Sequence, residues 1–138
     1  MTTIATDGKS MACDSRLIGS HIDQINTKKI FRVRGKIVGI AGALAEALIF
    51  VDWLKSETKD TKPDLSDSFE AIVVGPNGVD WYGDRLVAVS VGIPAAIGSG
   101  GDYAMGAMMA GATPKKAVEI AKKLDPGSGG PVKELILK

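Results

Sequence analysis

The chain has 138 residues, of which 45% are hydrophobic and 5% aromatic, with a net charge of +1 and a mean hydropathy of +0.12. That length and apolar content fit one domain spanning residues 1–138 with a real core. The near-neutral charge, with Lys and Arg scattered, argues against a dedicated nucleic-acid binder. Cys13 is alone, so no intramolecular disulfide is possible, and the most apolar region, Ile37–Leu54, is interrupted by Glu46 and Asp52 and is no membrane span. The start lacks the basic flank and apolar run of a signal peptide, so a reducing, cytoplasmic setting is expected.

The first sixteen residues, from Met1 to Arg16, read as a β-hairpin around Asp7-Gly8, a favoured two-residue turn. A tight turn predicts Thr6 opposite Lys9, Ile4 opposite Met11 and Thr2 opposite Cys13, with Asp14 level with the start of the chain. That placement matters because Met1 precedes a small residue and is of the kind usually trimmed. Trimming leaves Thr2 with a hydroxyl and a free α-amine on one residue. An α-amine titrates at about 7.7–8.0, so part of it is unprotonated at neutral pH and can serve as base to the hydroxyl. Taken alone, Thr2 and Thr3 are better read as plain strand residues at a frayed terminus, and only the rest of the chain favours the nucleophile.

Leu17–Asn26 reads as a polar loop with the only histidine, His21. With no Cys or His cluster, neither a metal site nor a cofactor is expected. Thr27–Val33 reads as a strand, Arg34-Gly35-Lys36 as a turn, and Ile37–Gly42 as a strand buried on both faces. From Ala43 to about Lys55 the period changes: Leu44, Leu48, Val51 and Leu54 recur at helical spacing. Ser56–Ser66 is polar and broken by Pro63, a loop. Strands follow at Phe69–Val74, Val79–Tyr82, Leu86–Val91 and Ala95–Ile97. Gly98 to Asp102 opens a helix over Tyr103–Ala110; Thr113-Pro114 caps another over Lys115–Leu124; Val132–Leu137 is a last strand. Strands and helices are segregated, which favours an α+β fold with antiparallel sheets.

Six stretches in this order resemble the proteasome β-subunit and HslV family of N-terminal threonine peptidases (Ntn hydrolases). They are Thr2-Thr3-Ile4, Ala12 to Arg16 (small-small-Asp-x-Arg), Lys28-Lys29-Ile30, Gly39 to Glu46, Ile97 to Ala104 with its Gly-Ser-Gly run, and Asp125-Pro126-Gly127-Ser128-Gly129. The glycine run alone would also suit a phosphate at a helix start, but it lacks the Lys-Ser/Thr tail of a P-loop. The resemblance covers nearly the whole chain. It implies a four-layer αββα sandwich of two antiparallel sheets with helices outside each, in subunits that assemble into rings around a proteolytic chamber. The family has a helix pair after the early sheet; here only Ala43–Lys55 is a convincing helix, so a reduced helical layer is expected after it.

The resemblance also assigns roles. Thr2 would be the nucleophile, its own amine the base, Lys29 a neighbouring ammonium and Asp14 the carboxylate that positions it. Gly42 is the first candidate for an oxyanion-hole N–H and Gly39 the second, although either glycine could serve packing alone. Ser99, Asp125 and Ser128 match supporting positions around the amine, against a plain reading as helix cap and turn residues. Leu17, Phe31 and Ile40 would line an apolar pocket beside the scissile bond, and substrate backbone would add as a strand near Ile18 and Leu44. The expected partners are copies of the same chain in a homo-oligomeric ring, unfolded polypeptide as substrate and an ATPase unfoldase, with no nucleic acid and no membrane. The alternatives are an Ntn amidohydrolase acting on a small amide, and a catalytically silent shell subunit.

Overall fold

The computed structural model describes residues 2–56 and 61–138. Strands β1 (Ile4–Thr6) and β2 (Ser10–Cys13) form the expected hairpin, with a different turn. Asp7 Oδ1 accepts from the backbone N–H groups of Lys9 and Ser10 at 2.9 and 2.8 Å. Thr6 Oγ1 accepts from Gly8 N at 3.0 Å and donates to Ser10 O at 2.6 Å. These side-chain bonds stabilise a wider loop than Asp7-Gly8 alone would make. The pairs are therefore Ile4 with Cys13, Ala5 with Ala12 and Thr6 with Met11, two residues away from the tight-turn register. An even shift leaves each side chain on its face, but it brings Asp14 opposite Thr3, whose carbonyl accepts from Asp14 N at 3.2 Å.

The stretch expected to be a plain loop contains a small hairpin, β3 (Leu17–Ile18) and β4 (Asp23–Gln24). Strand β5 (Ile30–Val33) starts three residues later than expected. It turns into β6 (Lys36–Ala41) through Arg34 and Gly35, both at positive φ (51° and 77°), the signature of a two-residue primed hairpin turn. Helix α1 (Leu44–Lys55) follows, then β7 (Glu70–Gly75), β8 (Gly78–Tyr82), β9 (Val89–Val91) and β10 (Ala95–Ile97). The β9 segment is shorter than expected because Leu86 is buried at φ 58°, a left-handed conformation that cannot continue a strand. Helices α2 (Gly101–Met109) and α3 (Pro114–Leu124) precede the last strand, β11 (Lys133–Ile136). Thr113 caps α3 as its sequence predicts, Oγ1 accepting from Lys116 N at 3.2 Å.

All strand pairs are antiparallel, in two main sheets ordered β10-β1-β2-β11 and β5-β6-β7-β8-β9. Three apolar layers hold the stack together. Ile4, Met11 and Cys13 meet Ile37, Ile72 and Val74 between the sheets. Ala5 and Ala12 meet Ala104, Ala117 and Ala121 of α2 and α3, small residues that let helices lie close on the strands. Val38 and Ile40 meet Phe50 and Val51 of α1, with the Phe50 ring centroid 5.0 Å from that of Phe69 and 5.1 Å from that of Tyr82. The order is the expected αββα sandwich. Among the described residues α1 is the only helix over the second sheet: 61–68 forms none, and the 57–60 part of the expected loop lies outside the described residues. No described helix is long and apolar enough to cross a membrane.

Candidate active site

Thr2 and Thr3 lead into β1, and their side chains lie in different surroundings. Thr2 lines a small cleft of about 30 Å³ with Arg16, Leu17, Lys29, Gly42 and Leu44 among its walls. Thr3 is fully buried, its Oγ1 2.7 Å from Ser128 Oγ. The two threonines are thus distinguished by geometry: one faces the cleft, the other faces a hydroxyl network.

Asp14 sits at the end of β2 with no exposed surface. Its Oδ1 accepts from Lys29 Nζ at 2.9 Å and Thr3 N at 3.0 Å, and its Oδ2 from Gly129 N at 3.1 Å and Arg16 N at 3.4 Å. A buried carboxylate needs such a set of donors to offset its lost hydration. The Asp14–Lys29 pair therefore spans the two sheets and brings the Lys29 ammonium to the cleft that Thr2 lines. Lys29 lies just before β5, where Ile40 N donates to its carbonyl at 3.1 Å.

The second half of the site is built from the start of α2 and the α3–β11 loop. Thr2 N donates to Ser99 Oγ at 3.1 Å, and Ser99 and Ser128 hydroxyls donate to Asp125 Oδ2 at 2.7 and 2.6 Å. Gly127 N donates to Asp125 Oδ1 at 3.3 Å. Burial pushes the Asp125 carboxyl up, but the hydrogen bonds from Ser128, Ser99 and Gly127 outweigh it and hold the group below its ordinary 3.8. Gly98 and Gly100 make the packing possible: a Cβ on Gly98 would run into the Thr2 carbonyl, and one on Gly100 into Thr3 Oγ1. The Gly98-Ser99-Gly100 run thus serves close backbone approach, with Gly100 N donating to Thr2 O at 3.1 Å.

Gly42 lies on the strand-to-helix turn at φ 105°, where a Cβ would come 2.9 Å from the Ser68 carbonyl. It borders the cleft and leads into α1, whose N-cap Ala43 makes no side-chain cap bond. The uncapped first N–H groups of α1 and the positive end of its dipole are favourable to a negative charge at this end. Gly39 lies elsewhere: it is buried within β6, and a Cβ there would come 2.6 Å from Ile4 Cγ2 and Met11 Sδ. Its role is to let the sheets pack.

Leu17, Ile18, Ile40 and Leu44 all border the cleft, giving it an apolar side. Phe31 does not; it packs on the α1 side of the sheet, with Lys28 Nζ 4.8 Å from its ring centroid. Residues at the cleft that sequence reasoning did not single out are Arg16, Thr27 and Ala47. Ala47 was legible in principle, one helical turn after Leu44, whereas Thr27 is placed only by the fold. Arg16 grips both oxygens of Asp23 at 3.1 and 3.0 Å and donates to the Pro126 carbonyl at 3.0 Å, tying the β3–β4 hairpin to the Asp125 loop. Its hydrogen bond holds the Asp23 carboxyl below its ordinary value. Among the described residues no group of three or more His, Cys, Asp or Glu is placed to hold a metal ion.

No protein-family model matches the sequence, and no curated protein is similar enough to match it. Solved structures do match in fold. Thiobacillus denitrificans BPH superposes with a TM-score of 0.77 at 22% identity, over 99% of this chain and 98% of that one. The same protein in complex with epoxomicin gives 0.74 at 21% identity, over 99% and 98%. Eukaryotic HslV from Trypanosoma brucei gives 0.74 at 21% identity, over 99% of each chain. The chain therefore has the fold of HslV and of the proteasome β-type Ntn hydrolases.

Proposed function

We propose that this chain, once Met1 is removed, is an N-terminal threonine endopeptidase of the HslV/proteasome type. The observation that carries the reading is the surroundings of Thr2: its nitrogen on Ser99 Oγ, and Lys29, ion-paired to Asp14, on the same cleft. In the processed chain that nitrogen is the α-amine. Thr2 Oγ attacks the scissile carbonyl while its proton passes to the amine, directly or through a water. The C–N bond breaks, the proton leaves with the amine product, and an ester on Thr2 remains. Water then attacks the ester, and its proton returns through the amine to release the acid and restore the hydroxyl. Lys29 supplies positive charge that favours the alkoxide and disfavours protonation of the neighbouring amine. The Gly42 N–H receives the oxyanion.

The apolar side of the cleft supports a preference for apolar residues at the cleaved bond. The fold shared with HslV supports a cytoplasmic homo-oligomeric ring that encloses the sites and accepts unfolded polypeptide from an ATPase unfoldase.

The test is an intact mass before and after exposure to epoxomicin, an epoxyketone that needs both the hydroxyl and the α-amine. Loss of Met1 and one adduct, absent in Thr2→Ala, is the expected result. Retained Met1 and no adduct would overturn the reading in favour of a silent shell subunit. An adduct on a monomer or dimer with no turnover of peptides would favour a small-amide hydrolase.

A further inference from the structure

We infer that Thr3 is a positioning residue for the nucleophile, its buried hydroxyl fixing the direction of a hydrogen-bond chain that bears on the Thr2 nitrogen. This rests on the reading of Thr2 given above. A hydroxyl has one proton, and a carboxylate only accepts. Ser128 and Ser99 both point their hydroxyls at Asp125 Oδ2, at 2.6 and 2.7 Å. The Thr2 carbonyl also lies 3.4 Å from Ser99 Oγ, but the shorter bond to a charged carboxylate is the stronger, so both protons go to Asp125. Ser128 then has only lone pairs to offer Thr3 Oγ1 at 2.7 Å, which makes Thr3 the donor. Ser99 likewise has only lone pairs for the Thr2 nitrogen at 3.1 Å, which must donate an N–H. In the processed chain this leaves the amine's lone pair unused by Ser99 and free to take the Thr2 proton.

Thr3 has no room to do otherwise. It is fully buried, its backbone N–H is held by Asp14 Oδ1 at 3.0 Å, and the Gly100 backbone closes over its hydroxyl. Its donation polarises Ser128 and strengthens that hydroxyl's hold on Asp125. Without it, the Asp125 charge bears more fully on Ser99, whose oxygen then favours the ammonium form of the amine. The charged groups around the amine are Asp125 through Ser99, Lys29 and Arg16 on the cleft, and Asp14 behind Lys29. Substitution of the Thr3 side chain alters the hydrogen bonding of Asp125 alone, since Asp14 holds the Thr3 backbone.

The test is the rate of epoxomicin labelling against pH, read by intact mass, for wild type, Thr3→Val and Thr3→Ser. Val keeps the shape and removes the hydroxyl; Ser keeps the hydroxyl. The acid limb should move to higher pH by about half a unit in Thr3→Val, making labelling roughly 3-fold slower on that limb, and Thr3→Ser should restore it. Should Thr3→Val not fold, Thr3→Ala reads the same limb. An unshifted limb in the hydroxyl-free variant, whether labelling is slower or not, overturns the inference. Absence of labelling in wild type instead overturns the assignment of Thr2.

Discussion

Lys29 Nζ lies 2.9 Å from Asp14 Oδ1, and both side chains are almost completely withdrawn from solvent. Burying two charges costs several kcal/mol, which their attraction and the further donors on Asp14 offset. Removing one partner leaves the other unpaired in the interior. Asp14→Ala and Lys29→Met should therefore each lose about 3–5 kcal/mol of stability in urea unfolding. The Asp14→Leu, Lys29→Met double variant should regain much of that loss yet take no epoxomicin. A double variant that still labels would show that the pair is structural only.

How much of this was legible beforehand depends on the range of the interaction. Asp7-Gly8 announced a turn and Thr113-Pro114 a helix start because those signals are local. The register of the first hairpin departs from the tight-turn expectation because it hangs on the Asp7 and Thr6 side-chain bonds, which compete with the tight turn. The β3–β4 hairpin is not legible because two-residue strands carry no periodicity; it is held by Arg16 reaching Asp23 and the distant Pro126 carbonyl. The resemblance alone assigns Phe31 to the pocket; on β5 it packs on the α1 side of the sheet. Ser99, Asp125 and Ser128 are flagged by the resemblance, but the bond that ties Thr3 to Ser128, 125 residues away, has no sequence signal of its own.

Arg16 and Asp23 define a further expectation. The pair is exposed, so its loss should change stability by less than about 1 kcal/mol. It nonetheless joins the hairpin that forms one wall of the cleft to the loop carrying Asp125 and Ser128. Asp23→Ala should leave the maximal epoxomicin labelling rate near wild type and raise the concentration giving half of it about 3-fold or more. Unchanged concentration dependence would mean that the hairpin wall does not contribute to binding.

Gly39 separates packing from chemistry. A Cβ there would come 2.6 Å from both Ile4 Cγ2 and Met11 Sδ, between the two sheets. Overpacking of this kind costs about 1–3 kcal/mol, so Gly39→Ala should lower the midpoint of unfolding. Met11→Ala opens the space beside Gly39, so the cost of Gly39→Ala should shrink in that background. Equal costs in both backgrounds would place the strain somewhere other than the sheet interface.

Cys13 gives an alkaline signature. Burial, with the Asp14 charge beside it, pushes its thiol from 9.0 up to about 12. The unfolded chain loses this proton near 9 and the folded chain keeps it until about 12. Between those values the folded state binds more protons, so this group contributes stability that falls as pH rises, by about 1.4 kcal/mol per unit. The contribution is complete below pH 9. Cys13→Ala lacks it: the variant starts lower in stability from the cavity it leaves, but its unfolding free energy should decline less steeply between pH 9.5 and 10.5 than that of wild type. In the same range the native thiol should resist iodoacetamide, which needs thiolate. Parallel pH profiles for the two proteins, or rapid alkylation of the native chain, would contradict a neutral Cys13 between the sheets.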